Sequence, residues 1–371
     1  MKILYLLEDG RFGGMAKMVL ELVSQVNSRG IKTQIVIAKK DSETLYKMAQ
    51  KLKLNVSLLD IRLLSKKKSL VLTYLLFFIP DLIKIITSIN RFNPDIVYCN
   101  SSPHFKGVIA ARLLGKKVIW HMHDTYQPKI ILGLFQVVRS VFGVHHFVAS
   151  SMRTIEYYNL PTQATLLSIP PVDTNEFHPS RQEIFSEKNS PYNIISVCNI
   201  NPDKGIDTLI NTAAKVNEER SDVCFNVVGL IPSTQAEYFR GLTSLSAKLN
   251  VTNVHFLGQR EDIRILLSQA DLYLCCSNNE SGPISVFEAM AMEKPVVSTD
   301  VGDLRRIFEI NRSGHVLPVG DSAALAEEIL FLLNNPILMK DLGQRGRKTA
   351  EEHLDIRLSI SNHLNFYRSV I

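Results

Sequence analysis

Residues 272–299 read LYLCCSNNESGPISVFEAMAMEKPVVST, and this stretch decides the fold. Residues 272–276 form an apolar run of strand length, 277–282 a polar turn, 283 onwards has helical character, and 295–299 reads as the next strand. Strand, loop, helix and strand make a βαβ unit, and in open parallel sheets ligands bind at the carboxyl ends of the strands. Gly282-Pro283 predicts a helix start with Pro at the first helical position, where its missing N–H costs nothing. The amides of Ile284 and Ser285 would then be free to meet an anion such as a phosphate, with the helix dipole behind them.

Glu280 precedes that predicted helix and Glu288 lies in its second turn. At about 1.5 Å of rise per residue, Glu288 sits roughly 8 Å beyond the anion position. That reach suits a carboxylate accepting hydrogen bonds from ribose hydroxyls while the amides hold the attached diphosphate. Glu280, on the loop, would face whatever lies beyond the phosphates. Without context, two glutamates at this spacing are more often solvated surface residues. Here they flank a Gly-Pro helix start that leads straight into a buried strand.

In these residues the chain resembles the retaining nucleotide-sugar glycosyltransferases of family 4. Glu280, Glu288, Ala289-Met290-Ala291 and Pro295-Val296-Val297 follow that family's signature in order. The resemblance implies a GT-B fold, two Rossmann-like domains facing across a cleft, with a C-terminal helix crossing back to the first domain. The expected organisation is an acceptor domain over 1–179, a linker over 180–192, a donor domain over 193–352 and the crossing helix over 353–371.

Length and composition agree with two domains. The chain has 371 residues, 46% of them hydrophobic and 21% charged, enough to bury two cores. The net charge of +6 is modest, but lysines cluster at 39–40, 66–68 and 116–117, all in the first half. Few aromatics are interleaved with them, so an anionic small molecule or membrane surface fits better than nucleic acid, although lysine-rich solvated faces are common. Five cysteines without a C-x-x-C pair suggest neither a disulfide framework nor a zinc site, as expected in a reducing cytosol. The opening MKILYLLEDGR turns acidic after five apolar residues, too few for a signal-peptide core, and reads as a first strand.

A Gly-rich turn follows that strand and leads into helical spacing over 15–27, a phosphate-facing opener that lacks the dinucleotide fingerprint. The resemblance assigns Gly13 and Gly14 to the approach of the donor; read alone, they suit a tight turn needing glycine at positive φ. Residues 69–79 form an apolar run too short and too interrupted at Pro80, Asp81 and Lys84 for a membrane span, and two helices with a break at Pro80 are expected. Beside lysines 66–68, this run suits either a surface resting on anionic lipid or ordinary core packing.

A strand over 117–120 ends in His121-Met122-His123-Asp124. The resemblance places the His123-Asp124 pair opposite the donor sugar, and neutral His123 would hydrogen-bond a sugar hydroxyl. Strand-end histidines are otherwise mostly structural. The second half opens as the first does, with a strand at 193–197, the loop 198–205 and a helix from 206. The resemblance matches Lys204 to a lysine that neutralises the diphosphate. Where an Arg usually stands five residues earlier, this chain has Asn199, and a bidentate phosphate donor is lost. Arg305-Arg306 offers a substitute cation. The turn at Gly258 is expected to contact the nucleobase.

The resemblance therefore implies transfer of a hexose-type sugar from UDP or GDP to an acceptor hydroxyl, with retention by front-face attack. The acceptor expected is a glycan or a lipid-linked intermediate of surface polysaccharide or glycolipid synthesis. No Asp-x-Asp stands at a strand end, so neither metal nor cofactor is expected. The expected location is cytoplasmic, peripheral on the inner membrane, with no nucleic-acid partner. A sugar-nucleotide epimerase of the same fold and a two-lobed sugar-binding protein without chemistry remain alternatives.

Overall fold

A computed structural model describes all residues except 12, 65–67, 126 and 182–191, with backbone alone at 68–70 and 181. Residues 182–191 of the predicted linker, and Lys66-Lys67, therefore lie outside the described residues, while Tyr192 at the linker's expected end already belongs to a strand. The chain divides into two compact units, residues 1–170 with 357–371, and residues 171–356.

The first unit holds a seven-stranded parallel sheet in the order β3-β2-β1-β4-β5-β6-β7. Its strands are β1 Lys2–Leu7, β2 Lys32–Ala38, β3 Val56–Leu59, β4 Ile96–Asn100, β5 Lys117–Met122, β6 His146–Ala149 and β7 Thr165–Leu167. Its helices are α1 Gly14–Ser28, α2 Glu43–Lys51, α3 Lys68–Leu76, α4 Phe78–Phe92, α5 Phe105–Leu113, α6 Lys129–Val141 and α7 Met152–Tyr158. Strands buried on both faces read as continuous apolar runs, which is why 3–7 was legible as a strand. On one face Leu4, Leu6, Val97, Val118 and Trp120 pack with Leu82, Ile85 and Ile89 of α4, Phe105 and Val108 of α5, and Phe135 and Val138 of α6. On β1 and β4 the alternate residues Tyr5 and Tyr98 meet Tyr367 near the end of the C-terminal helix, the Tyr5 and Tyr367 hydroxyls 3.2 Å apart.

The second unit holds a six-stranded parallel sheet in the order β10-β9-β8-β11-β12-β13. Its strands are β8 Tyr192–Val197, β9 Val223–Val228, β10 Val254–Gly258, β11 Leu272–Cys275, β12 Val296–Thr299 and β13 His315–Leu317. Its helices are α8 Ile206–Glu219, α9 Ala236–Lys248, α10 Ile263–Gln269, α11 Ile284–Ala291, α12 Leu304–Glu309, α13 Ser322–Leu333 and α14 Pro336–Thr349. The last helix, α15, spans Ile356–Val370. Two Rossmann-like units with parallel sheets are the architecture expected from the sequence.

Several boundaries differ from expectation. The helix break falls at Phe77, between α3 and α4, and Pro80 sits in the first turn of α4, where a missing N–H is tolerated. Residues 171–179, assigned from sequence to the first domain, bond within the second unit. Arg347 Nη1 donates to the Phe177 carbonyl at 2.6 Å and Nη2 to the Thr174 carbonyl at 3.0 Å, while the Val172 amide donates to Leu354 at 2.9 Å. From Arg357 onwards α15 belongs with the first unit. Among the described residues, no single helix is long and apolar enough to cross a membrane.

Candidate nucleotide-sugar site

In the second sheet the chain runs outward from β8 through β9 to β10, then resumes at β11 on the other side of β8 and runs outward again. The switch point lies between β8 and β11, and a crevice outside the carboxyl ends of those strands is the binding position of such folds. The loops that emerge there are 198–205 and 276–283, which hold Lys204 and Glu280.

The two loops are fastened together. The Asp203 carbonyl accepts from the Asn278 amide at 2.7 Å and the Asn279 amide at 3.3 Å, and the Pro202 carbonyl accepts from Asn278 Nδ2 at 2.8 Å. Gly205 permits this approach. Its φ is +60°, and a Cβ there would lie 1.9 Å from the Cys276 carbonyl oxygen. The same approach brings Lys204 Nζ into an ion pair and hydrogen bond with Glu280 Oε1, and Ser277 Oγ donates to that oxygen at 3.1 Å. Burial favours the neutral amine, but the charge and hydrogen bond of Glu280 outweigh it and raise the Lys204 pKa. Lys204 is thus a fixed cation at the switch point. The neighbouring Cys198 thiol is pushed up to about 12 by burial, and burial also raises Cys275 and Cys276, so none is a thiolate nucleophile.

Beside this pair α11 begins. Pro283 is its N-cap and Ile284 its first residue, one position later than the Gly282-Pro283 reading predicts. The first amides of the helix, Ile284 and Ser285 among them, have no acceptor within the helix. The Ser285 hydroxyl is occupied: it donates to the Val197 carbonyl at 2.9 Å and accepts from Tyr273 Oη at 2.7 Å, pinning the first turn of α11 to the end of β8. Glu288 is half-buried in the second turn. A third loop closes in from β12, where Gly302 has φ +54° and would place a Cβ 3.1 Å from the Ser281 carbonyl.

Other residues singled out from the sequence are not bonded to the Lys204–Glu280 pair in the contacts described. Gly258 ends β10, two strands from β8, with φ +67° and its carbonyl accepting from Gly229 at 2.8 Å. Asn199 is exposed on the loop after β8. Arg305, suggested as the replacement cation, binds Asp300 at 2.9 and 3.0 Å. Among the described residues no group of three or more His, Cys, Asp or Glu side chains is gathered as a metal site.

In the first unit, Gly13 is the N-cap of α1 with φ −167°, an extended conformation open to any residue, and among the described residues nothing lies within 4 Å of a Cβ built there. The positive-φ explanation for it therefore fails. Gly14 is the first residue of α1. His123 follows β5, with Nε2 2.6 Å from Asn100 Oδ1, and its pKa is lowered to about 4 by burial against the opposing charge of Asp124. The Asp124 carboxylate is already engaged by Ser102 at 2.9 Å, Gln127 at 3.1 Å and Tyr158 at 2.7 Å, which makes it an anchor for its loop.

A second buried group was not found from the sequence. It sits at the switch point between β1 and β4. Glu8, His104, Lys106 and Asp81 are fully buried, with Lys106 Nζ 3.2 Å from Glu8 Oε1 and 3.0 Å from Asp81 Oδ2. Arg62 reaches the other Asp81 oxygen at 3.0 Å. Burial raises Glu8 to about 7 despite Lys106, and lowers His104 to about 3. The signal available was Glu8 itself, an acid directly after the apolar strand.

Two family models match the chain: Glycosyltransferase Family 4 over residues 12–160 and Glycosyl transferases group 1 over residues 179–349. Among curated relatives, the N-acetyl-alpha-D-glucosaminyl L-malate synthase of Bacillus anthracis is 27% identical over 48% of this chain and 45% of its own length. The phosphatidyl-myo-inositol mannosyltransferase of Mycobacterium leprae is 33% identical over 46% of this chain and 44% of its own. The chain thus spans a little under half the length of these curated relatives. Anabaena HepE in complex with UDP superposes with a TM-score of 0.84 at 18% identity, covering 100% of both chains. Sucrose-phosphate synthase from Thermosynechococcus elongatus gives 0.81 at 16%, covering 100% of this chain and 99% of that one. Each half of the chain is thus matched by its own glycosyltransferase family model, and the full length shares the GT-B architecture of these structures.

Proposed function

We propose that the chain transfers a hexose-type sugar, with retention, from a UDP or GDP donor to the hydroxyl of a glycan or lipid-linked acceptor in surface polysaccharide or glycolipid synthesis. One observation carries the reading: a cation that its glutamate partner keeps charged stands at the β8/β11 switch point, beside the amino end of α11. The diphosphate would lie against Lys204 and the Ile284 and Ser285 amides, and the ribose against Glu288. HepE, of the same fold, binds UDP, and one of its structures holds UDP-glucose.

In the step we propose, the bond from the anomeric carbon to the diphosphate oxygen breaks and its electron pair leaves with the phosphate. The acceptor oxygen bonds the same carbon from the same face, and its proton passes to the departing phosphate oxygen. Lys204 and the α11 amides stabilise the developing charge, the kind of fixed electrostatic support that dominates many active sites. Glu280 holds Lys204 in place and orients the sugar. Neutral His123 is suited to hydrogen-bond a sugar hydroxyl rather than to carry charge. No metal takes part in this scheme, so activity is expected to survive EDTA. The working location is the inner face of the cytoplasmic membrane.

A thermal-shift panel of nucleoside diphosphates and their sugars tests the reading. UDP or GDP is expected to stabilise the second unit, and to do so less in Lys204→Ala. If no nucleotide stabilises the wild-type protein, the donor site is misassigned. Turnover of a UDP-sugar without any acceptor, giving an isomeric UDP-sugar, would favour an epimerase.

A further inference from the structure

Large apolar side chains stand in solvent on the first unit in two ordered stripes. On α6, Ile130, Leu134, Val137 and Val141 are 79, 41, 58 and 71% exposed, at spacings of four, three and four residues that bring them to one side of the helix. Phe135 and Val138 on the opposite side are buried in the core. On α3 and the start of α4, Leu72, Leu76, Ile79 and Ile83 repeat the same spacing, with Leu75 beside them, and each is more than half exposed. Both α4 and α6 lie in the helical layer that covers the Leu4–Trp120 face of the sheet, with α5 between them. Core packing of this run, the alternative open from the sequence, accounts for Tyr74 and Phe78 but not for these residues.

Charge distinguishes the occupants. The first unit, 1–170 with 357–371, carries 25 Lys and Arg against 10 Asp and Glu, a net +15; residues 171–356 carry 17 against 26, a net −9. The modest total of +6 conceals this division. Across α3, α4 and α6 the only acidic residue is Asp81, and it is buried against Lys106. Exposed apolar helix faces with no surface acid, on a strongly basic unit, match an anionic lipid surface, where apolar insertion and attraction to headgroups add.

We infer that the outer faces of α3–α4 and α6 form a docking surface for an anionic bilayer, so that the first unit alone attaches the protein to its membrane. This deepens the inner-membrane placement given above, yet vesicle partition needs neither donor nor acceptor, so its failure leaves the donor site untouched.

The test is flotation of the full chain with phosphatidylcholine vesicles containing about 30% phosphatidylglycerol, and with phosphatidylcholine alone. Binding is expected on the anionic vesicles, at least about tenfold weaker on the neutral ones, and weakened by salt. The pairs Val137→Glu with Val141→Glu, and Leu75→Glu with Ile79→Glu, are each expected to reduce partition about tenfold or more. Trp120 fluorescence should be unchanged in both, showing that the first unit remains folded. Failure of the wild-type chain to float, or full binding by both folded variants, overturns the inference. So does a wild-type dimer in sedimentation that the same substitutions split, which would make the stripes a subunit contact.

Discussion

Lys204→Ala removes the cation at the switch point while sparing the α11 amides, and kcat for sugar transfer is expected to fall by about 10²–10³. A change confined to nucleoside affinity, with kcat intact, would take Lys204 out of leaving-group stabilisation. Glu288→Ala should instead raise the donor KM, by the about 1.5–3 kcal/mol of a charge-assisted hydrogen bond; an unaltered KM removes it from the ribose role. Gly205→Ala would press a Cβ onto the Cys276 carbonyl at positive φ. Urea unfolding should show a loss of several kcal/mol, against about 1 kcal/mol for Gly320→Ala, where φ is +79° and nothing lies near. Equal losses at the two positions would mean that loop contact at Gly205 is unimportant. Lys204 and Glu280 were each legible as candidates from their local context. Their pairing was not, because 76 residues separate them and only the strand order of the sheet joins their loops. The Glu8–Lys106–Asp81 group escaped for the same reason, as each member looks like an isolated charge in its own segment.

At the level of elements, α11 is held by the Ser285 hydroxyl rather than by a conventional cap. Ser285→Ala keeps the amide and loses the bonds to Val197 and Tyr273, so it should destabilise by about 1–2 kcal/mol in urea while shifting the donor KM by about twofold at most. A large KM change with unaltered stability would show that the hydroxyl itself touches the donor. Apolar runs bounded by polar or turn-forming residues were read correctly in kind: the opening run and the runs at 272–276 and 295–299 are β1, β11 and β12, each within a residue of its expected bounds. Pro80 misled the reading of α3 and α4, since a proline in the first turn of a helix and a proline that ends one look alike in sequence.

Over the whole molecule, the buried histidines are unevenly placed. His104, His121, His123 and His363 all belong to the first unit, and burial lowers His104 to about 3, His123 and His363 to about 4, and His121 well below the usual range. A depressed folded-state pKa supplies stability above the ordinary value of about 6.5 that is lost as pH falls toward the folded value. For a histidine titrating near 4, that loss is about 2 kcal/mol by pH 5. Glu8, raised to about 7 by burial, acts in the opposite sense and offsets part of this loss, so the first unit should lose stability between about pH 6 and pH 4. The single tryptophan, Trp120, is buried in that unit and reports on it alone. Its emission should shift to the red over this range before far-UV circular dichroism is fully lost; a flat Trp120 signal down to pH 4 would refute the assignment. The ion network bears on the same unit differently. Asp81 stands on α4, whose other side carries exposed isoleucines, and through Lys106 it reaches Glu8 at the mouth of β1. Two ion pairs thus lead from the helix that carries the protein's greasy exterior to the strand end from which the glycine turn departs, so that whatever bears on the one lies two side chains from the other.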